Sequence, residues 1–392
     1  MRKVKIGIVG CGVISNTYLT NITDMYKMLE IAAVADMFPA KAKEAAEKYG
    51  IPKACTVEEL LADKEIEIVV NLTIPSAHTE VNMKALEAGK NVYCEKPLAL
   101  NTEDAKKILE VAKKKGLLVG CAPDTFLGAG LQTCRKVLDD GWIGKPVAVT
   151  ANMICHGHES WHPAPEFYYK QGAGPMMDMG PYYITALVSL LGPISKTNCF
   201  GKKTFDQRTI TSTSPFKGKT IDVEVLTHYS GLMEFANGVV ANINMSFDVW
   251  HSNLPCIEIY GTAGTLIVPD PNMFGGPVKV LRGENMIDSV EGLSTSEAVV
   301  KIHSPEMLNF MKEVPLIYHY TTMNMRGLGV LDMAYALIEG REHRANGELM
   351  YHVTEVLTSF DKSVEEDRTY RMTSTCERPA PIPLGLGAGE LD

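Results

Sequence analysis

The sequence predicts an α/β protein in two parts, a doubly wound parallel sheet followed by an α+β domain with a large, mainly antiparallel sheet. Three observations carry this. In the first third, short apolar runs alternate with helical patterns, the rhythm of βαβ units. Beyond about residue 125, strand-like runs follow one another directly and are joined by hairpin signals, of which Asn237-Gly238 is the strongest. The length, 392 residues at 45% hydrophobic and 22% charged, suits two or three domains with sizeable cores and excludes disordered, collagen-like and disulfide-stapled classes.

Element by element, Val4–Val9 is an unbroken apolar strand, residues 15–29 a helix and 31–35 a second strand. Residues 40–49 are rich in Ala, Lys and Glu at helical spacing and stop at Gly50. A buried-type strand over 67–72 leads to a helix over 77–88, closed by Gly89. Asn91–Cys94 (strand), Thr102–Lys115 (helix) and 117–121 (strand) complete the first domain, residues 1–125. A linking helix over 128–140 opens the second domain, residues 126–375. It continues with a strand over 147–154, a polar and aromatic loop, and a helix over 181–191. Strands are expected over 223–229, 232–235, 239–247 and 257–260, and helices over 329–339 and 352–366. Residues 376–392 form a Pro- and Gly-rich irregular tail.

Lys and Arg number 38 against 47 Asp and Glu, a formal charge of −9, which argues against nucleic acid or an anionic membrane as partner. The nine cysteines are scattered with no Cys-x-x-Cys pair, as expected of free thiols in a reducing cytoplasm. The basic start followed by a short, Gly-broken apolar run reads as a strand rather than an export signal. No apolar run approaches the ~20 residues of a membrane helix.

Gly10-Cys11-Gly12-Val13-Ile14-Ser15 follows the first strand and opens a helix. In a dinucleotide fingerprint the first Gly makes the tight turn and the second lets pyrophosphate approach the backbone, where the helix N-terminus meets it. The third small position is Ser15 here. Asp36 ends the next strand, placed to accept hydrogen bonds from the adenosine ribose and to repel a 2′-phosphate. With no Arg close behind it, NAD is favoured over NADP.

Further along, Thr73-Ile74-Pro75-Ser76-Ala77-His78 and Glu95-Lys96-Pro97 each follow a predicted strand, and Gly172-Ala173-Gly174-Pro175 leads into Asp178-Met179-Gly180. With Gly261-Thr262-Ala263-Gly264 and Arg326-Gly327, this ordered set resembles the glucose–fructose oxidoreductase / inositol dehydrogenase / MocA (Gfo/Idh/MocA) family over nearly the whole chain. The resemblance implies a Rossmann domain, NAD, and oxidation or reduction of a secondary hydroxyl on a sugar, cyclitol or glycoside. It places Gly10, Gly12, Val13, Ile14, Asp36, Thr73, Pro75, His78, Glu95 and Lys96 at the cofactor. Lys96 would also reach the substrate hydroxyl, with Asp178 facing the sugar.

The family's usual His four residues after that Asp is Tyr182 here, so Lys96, Asp178 and Tyr182 are the catalytic candidates and which of them is the base stays open. His156-Gly157-His158-Glu159-Ser160-Trp161-His162 fits no zinc spacing. It reads as a substrate loop in which His158, Trp161, His162 and Tyr168 touch the sugar and Trp161, Phe167, Tyr168 and Tyr169 are stacking or wall residues, against the alternatives of plain packing or a metal; no metal is expected. Trp250-His251 is either a strand-end aromatic pair or a pocket wall. The resemblance also implies a homodimer or homotetramer formed through the free face of the second sheet. Two further readings are a glycoside hydrolase or eliminase that oxidises its sugar transiently, and a non-catalytic NAD-binding regulator.

Overall fold

A computed structural model describes residues 2–321, 324–387 and 389–392. Its contacts divide the chain into two compact units: residues 1–128, 322–358 and 373–392, and residues 129–321 and 359–372.

The first unit opens with β1 (Val4–Val9), α1 (Ser15–Asp24), β2 (Leu29–Ala35), α2 (Pro39–Tyr49), β3 (Ala54–Cys55) and α3 (Val57–Ala62). It continues with β4 (Ile68–Asn71), α4 (Pro75–Glu87), β5 (Asn91–Cys94), α5 (Thr102–Lys115) and β6 (Val119–Cys121). The six strands form one parallel sheet in the order β3-β2-β1-β4-β5-β6. Ile68, Val69 and Val70 are fully buried, as a parallel strand covered on both faces requires. The order reverses direction at β1, so the strand ends around β1 and β4 form the crevice where such sheets bind ligands. The helix expected over 15–29 stops at Asp24, because Leu29 is drawn into the sheet beside Val4.

The second unit begins with α6 (Ala129–Asp139), β7 (Pro146–Ile154) and α7 (Gly174–Leu191), then β8 (Ile194–Lys202), β9 (Gln207–Thr209), β10 (Thr220–Asp222), β11 (His228–Phe235) and β12 (Val240–Ser246). β13 (Ile257–Gly261), β14 (Gly264–Val268), β15 (Val278–Arg282), α8 (Gly283–Val290), α9 (Thr295–Ile302) and β16 (Lys312–Val314) follow. After α10 (Leu328–Glu339) and α11 (Gly347–Glu366), β17 (Tyr370–Arg371) joins the edge of the large sheet. That sheet runs β16-β15-β14-β13-β7-β12-β11-β8-β17 and is antiparallel except for β7 with β12; β9 and β10 pair separately.

Three further expectations change. The separate strands over 223–229 and 232–235 are one strand, His228–Phe235, running through Gly231. A Cβ at Gly231 would lie 2.5 Å from the Phe360 ring, so the missing side chain marks close packing, not a break. The helix expected from residue 181 starts at Gly174, with Pro175 in its first turn and Pro181 inside it. Nearly every residue of α7 is buried, and packing outweighs the roughly 3 kcal/mol an interior proline costs. Finally, 322–358 and 373–392, expected in the second domain and an irregular Pro- and Gly-rich tail, belong to the first unit. Asp392 explains the tail: its carboxylate receives Arg344 Nη2 at 2.8 Å, and Arg344 also donates to the Ala380 and Pro381 carbonyls. Buried Ile382 and Leu391 hold the intervening chain. Among the described residues no helix is long and apolar enough to cross a membrane.

Candidate active site

In the first unit the candidate residues gather at the C-terminal ends of β1, β2, β4 and β5. Gly10 turns the chain with φ +102°, and a Cβ there would sit 2.7 Å from the Leu72 carbonyl. Asp36 is fixed beside the turn: Cys11 N donates to its Oδ2 at 2.7 Å and Phe38 N to its Oδ1 at 2.8 Å. The N–H groups of Gly12, Val13 and Ile14 take no acceptor among the described residues, and Ile14 gives α1 no side-chain cap. A Cβ at Gly12 would meet nothing within 4 Å. Around this open turn stand apolar side chains that water ordinarily excludes, Val13 (91% exposed), Met37 (83%) and Ile74 (68%). Orphaned N–H groups at a helix start, a carboxylate at the next strand end and bare apolar walls fit the pyrophosphate, ribose and base of a dinucleotide.

The Thr73 hydroxyl donates to Asn71 Oδ1 at 2.6 Å, which shapes the turn into exposed Pro75 at the start of α4. His78 departs from expectation. It is fully buried, its Nδ1 2.7 Å from the Pro97 carbonyl and its Nε2 3.0 Å from that of Thr73. Two carbonyls call for two N–H donors, hence an imidazolium. Burial opposes that charge, yet the Cys94 sulfur and the two carbonyls raise the ring's pKa to about 9. With both nitrogens engaged, His78 braces the turns carrying Thr73 and Pro97 and has none left to offer a cofactor directly.

Glu95 is 8% exposed and doubly held, Tyr18 donating its phenol to Oε1 at 2.8 Å and Lys96 N donating to Oε2 at 3.0 Å. Burial, reinforced by the Glu95 charge, keeps the Tyr18 phenol far from ionising, so it remains a donor. Lys96 follows, half-buried, ahead of buried Pro97. Asp124, which the sequence did not single out, caps the start of α10 by accepting Gly327 N at 2.8 Å and Gly329 N at 3.0 Å. Burial raises its pKa to about 6.

In the second unit, Asp178 and Tyr182 lie one turn apart on α7 and share a face. His158, in the loop after β7, brings its Nε2 within 3.5 Å of Asp178 Oδ2. Its ring is boxed by Trp161, Tyr168 and Phe247 at centroid distances of 5.2, 4.2 and 4.5 Å. Neither His158 ring nitrogen has a hydrogen-bond partner among the described residues, although the side chain is nine-tenths buried. His162 packs edge-on against Trp161, Phe167 and Tyr168, and its Nδ1 accepts from Ala164 N at 3.0 Å. Burial and the neighbouring His158 lower its pKa.

The structure therefore brings Asp178, Tyr182, His158, Trp161, His162 and Tyr168 to one helix face and its covering loop. Tyr169, beside them in sequence, turns away to donate its phenol to Glu159. Glu159 pairs with buried Arg208 at 2.7 Å, and Arg208 also binds Asp248. This cluster pins the loop from beneath. No local pattern announces it, since its members are 40 to 89 residues apart in pairs with Asp248. Among the described residues no three His, Cys, Asp or Glu side chains converge as a metal ion would need.

Comparison with known proteins agrees with the two-part fold. Residues 4–122 match the model of an oxidoreductase family with an NAD-binding Rossmann fold, and residues 131–267 match the GFO/IDH/MocA C-terminal domain. The inositol 2-dehydrogenase/D-chiro-inositol 3-dehydrogenase of Lactiplantibacillus plantarum is 38% identical over 153 residues, 36% of this chain and 42% of that enzyme. The match thus spans less than half the length of that relative. Trans-1,2-dihydrobenzene-1,2-diol dehydrogenase of Bos taurus is 28% identical over 68% of this chain and 74% of its own. Among solved structures, levoglucosan dehydrogenase in complex with NADH superposes with TM-score 0.76 at 19% identity, covering 95% of this chain and all of that one. An NAD-binding oxidoreductase from Klebsiella pneumoniae gives 0.74 at 22% identity, over 94% and 98%. With the glycine-turn half answering to one family model and the large-sheet half to its companion, the chain belongs to the Gfo/Idh/MocA oxidoreductase family.

Proposed function

We propose that the protein is an NAD-dependent dehydrogenase that moves a hydride between nicotinamide and the carbinol carbon of a sugar, cyclitol or glycoside. The observation that carries this is the set of groups at one sheet edge: an uncapped glycine turn, a fixed Asp36 and a braced Glu95-Lys96 pair. The names of the similar enzymes, inositol and a dihydrodiol among their substrates, point the same way.

When bound, the nicotinamide supplies the hydride acceptor or donor. The protein supplies the rest. Backbone N–H groups of residues 12–14 and the α1 dipole hold the pyrophosphate, while Thr73 and Pro75 line its approach. Asp36 takes the adenosine ribose hydroxyls and repels a 2′-phosphate, which selects NAD. Glu95, held in place by Tyr18, has lone pairs to spare for the second ribose. In the first unit Lys96 is the group for the substrate oxygen, its amine taking the hydroxyl proton as the carbonyl forms or its ammonium stabilising a developing alkoxide; in the second unit Asp178 and Tyr182 are the alternative proton acceptors. His158 and His162 offer hydrogen bonds to other sugar hydroxyls, and Trp161 and Tyr168 cover the ring's apolar face.

Lys96→Ala tests the assignment. NAD binding by calorimetry should persist while reduced-nicotinamide formation with a panel of sugars and cyclitols disappears. Turnover at the wild-type rate would remove Lys96 from the mechanism. Release of an aglycone without net NADH would instead indicate elimination through transient oxidation. A homo-oligomer is proposed as well, on the outer face of the large sheet, where Phe200, Leu232 and Val240 stand exposed on adjoining strands.

A further inference from the structure

A cavity in the second unit, of about 330 Å³, has none of the roles assigned above. Its wall carries Trp250, which is 82% exposed and stacks on His156 with centroids 3.4 Å apart and planes 13° from parallel. One indole face is thereby fixed against an imidazole, and the other is bare. Phe205, 44% exposed, stands on the same cavity and carries the Arg208 guanidinium 4.7 Å over its ring. Arg208 lines the cavity with a side chain only 5% exposed, and its Nε has no acceptor among the described residues, as is also true of His156 Nδ1. Exposed Gln207 and Thr209 complete the polar lining.

The charges beneath select the ligand class. Arg208 is matched by two carboxylates, Glu159 and Asp248, so the floor is net negative and unsuited to an anion. Rigid aromatic faces with a few amide, hydroxyl and unspent N–H groups suit a neutral polyhydroxylated ring, whose C–H face stacks and whose hydroxyls bond. The loop over residues 156–161 serves both sites. His158 and Trp161 belong to the His158–Asp178 box, and His156, Glu159 and Ser160 line this cavity. The two sites therefore share one stretch of chain, whose residues divide between them.

We propose that this cavity is an outer carbohydrate subsite that holds the second ring of a glycoside whose first ring is oxidised at Asp178 and His158. The inference rests on the dehydrogenase reading and narrows its substrate class from free sugars or cyclitols to glycosides. It is tested with Trp250→Ala and Phe205→Ala, assayed for NADH formation on disaccharides and methyl glycosides against the corresponding free sugars. Binding is measured separately as saccharide-dependent quenching of tryptophan fluorescence, with the wild-type protein compared with Trp250→Ala.

Each substitution should lower kcat/KM for disaccharides about tenfold, as expected for loss of one stacking platform, and leave that for free sugars unchanged. Disaccharides should quench the wild-type protein saturably and the Trp250→Ala protein much less. Equal kcat/KM losses on both substrate classes, or none on either, would overturn the subsite while leaving the dehydrogenase reading intact. Trp250-dependent quenching by disaccharides without any turnover would retain the subsite and refute the dehydrogenase. Neither quenching nor turnover would refute both.

Discussion

Replacing Gly10 and Gly12 separately by Ala distinguishes a glycine needed by the fold from one needed by the cofactor. At Gly10 the backbone is left-handed, φ +102°, which costs an L-residue about 1–2 kcal/mol. The new Cβ would also lie 2.7 Å from Leu72 C and O and 2.8 Å from Thr73 N, all backbone at the end of β4. Backbone cannot rotate aside as a side chain can, so overpacking adds about 1–3 kcal/mol. For a domain of this size that sum corresponds to a fall of roughly 4–20 °C in Tm. At Gly12 a Cβ meets no atom within 4 Å, so Tm without cofactor should move by no more than about 2 °C. The same Cβ would project where pyrophosphate must approach, and a clash of about 1–3 kcal/mol raises the NAD Kd about 5- to 150-fold. Differential scanning calorimetry without ligand and titration calorimetry with NAD read the two effects. Wild-type NAD affinity in Gly12→Ala would refute the placement of pyrophosphate at this turn, and an unchanged Tm in Gly10→Ala would refute the close approach to Leu72.

Asp36→Ser should raise the NADP-to-NAD ratio of kcat/KM at least about tenfold by removing the charge that repels a 2′-phosphate; an unmoved ratio would show that specificity lies elsewhere. Glu355 receives Thr373 N and Ser374 N at 2.8 and 2.7 Å. Burial raises its pKa, but these bonds and the two hydroxyls outweigh it and bring it down to about 2. Because that value lies below the unfolded carboxylate's, the stabilisation is complete above roughly pH 5 and is lost as pH falls toward 2. Glu355→Gln should therefore cost about 1–3 kcal/mol at neutral pH in urea melts and flatten the acid limb; an identical limb would exclude Glu355 as its source. Phe200→Glu with Leu232→Glu should convert the proposed oligomer to monomers in multi-angle light scattering, and a wild-type protein that is already monomeric would overturn the proposed interface.

Much of the first unit was legible in the sequence because its signals are local. A Gly-x-Gly between strand and helix, an acidic residue at the next strand end and Glu95-Lys96 after β5 are each written in consecutive residues, and each lies where that pattern requires. His78 shows the limit of such reading. The sequence pattern assigned it to the cofactor, but the carbonyls of Thr73 and Pro97, 5 and 19 residues away, show that both nitrogens are already spent. In the second unit the aromatic and histidine loop was recognisable, yet nothing in it distinguished Tyr168, which faces His158, from Tyr169, which faces Glu159.

Composition, hydrophobic period and turn chemistry act over a few residues, and they were enough to determine two sheet architectures and the glycine turn that follows β1. The tertiary structure alone decided what depends on distant partners. It returned residues 322–358 and 373–392 to the first unit, joined β11 through Gly231, and buried Arg208 between Glu159 and Asp248. The physical reason is the same in each case: burial of a charge or a close backbone approach is stable only when side chains far apart in the chain converge, and no short pattern records that convergence.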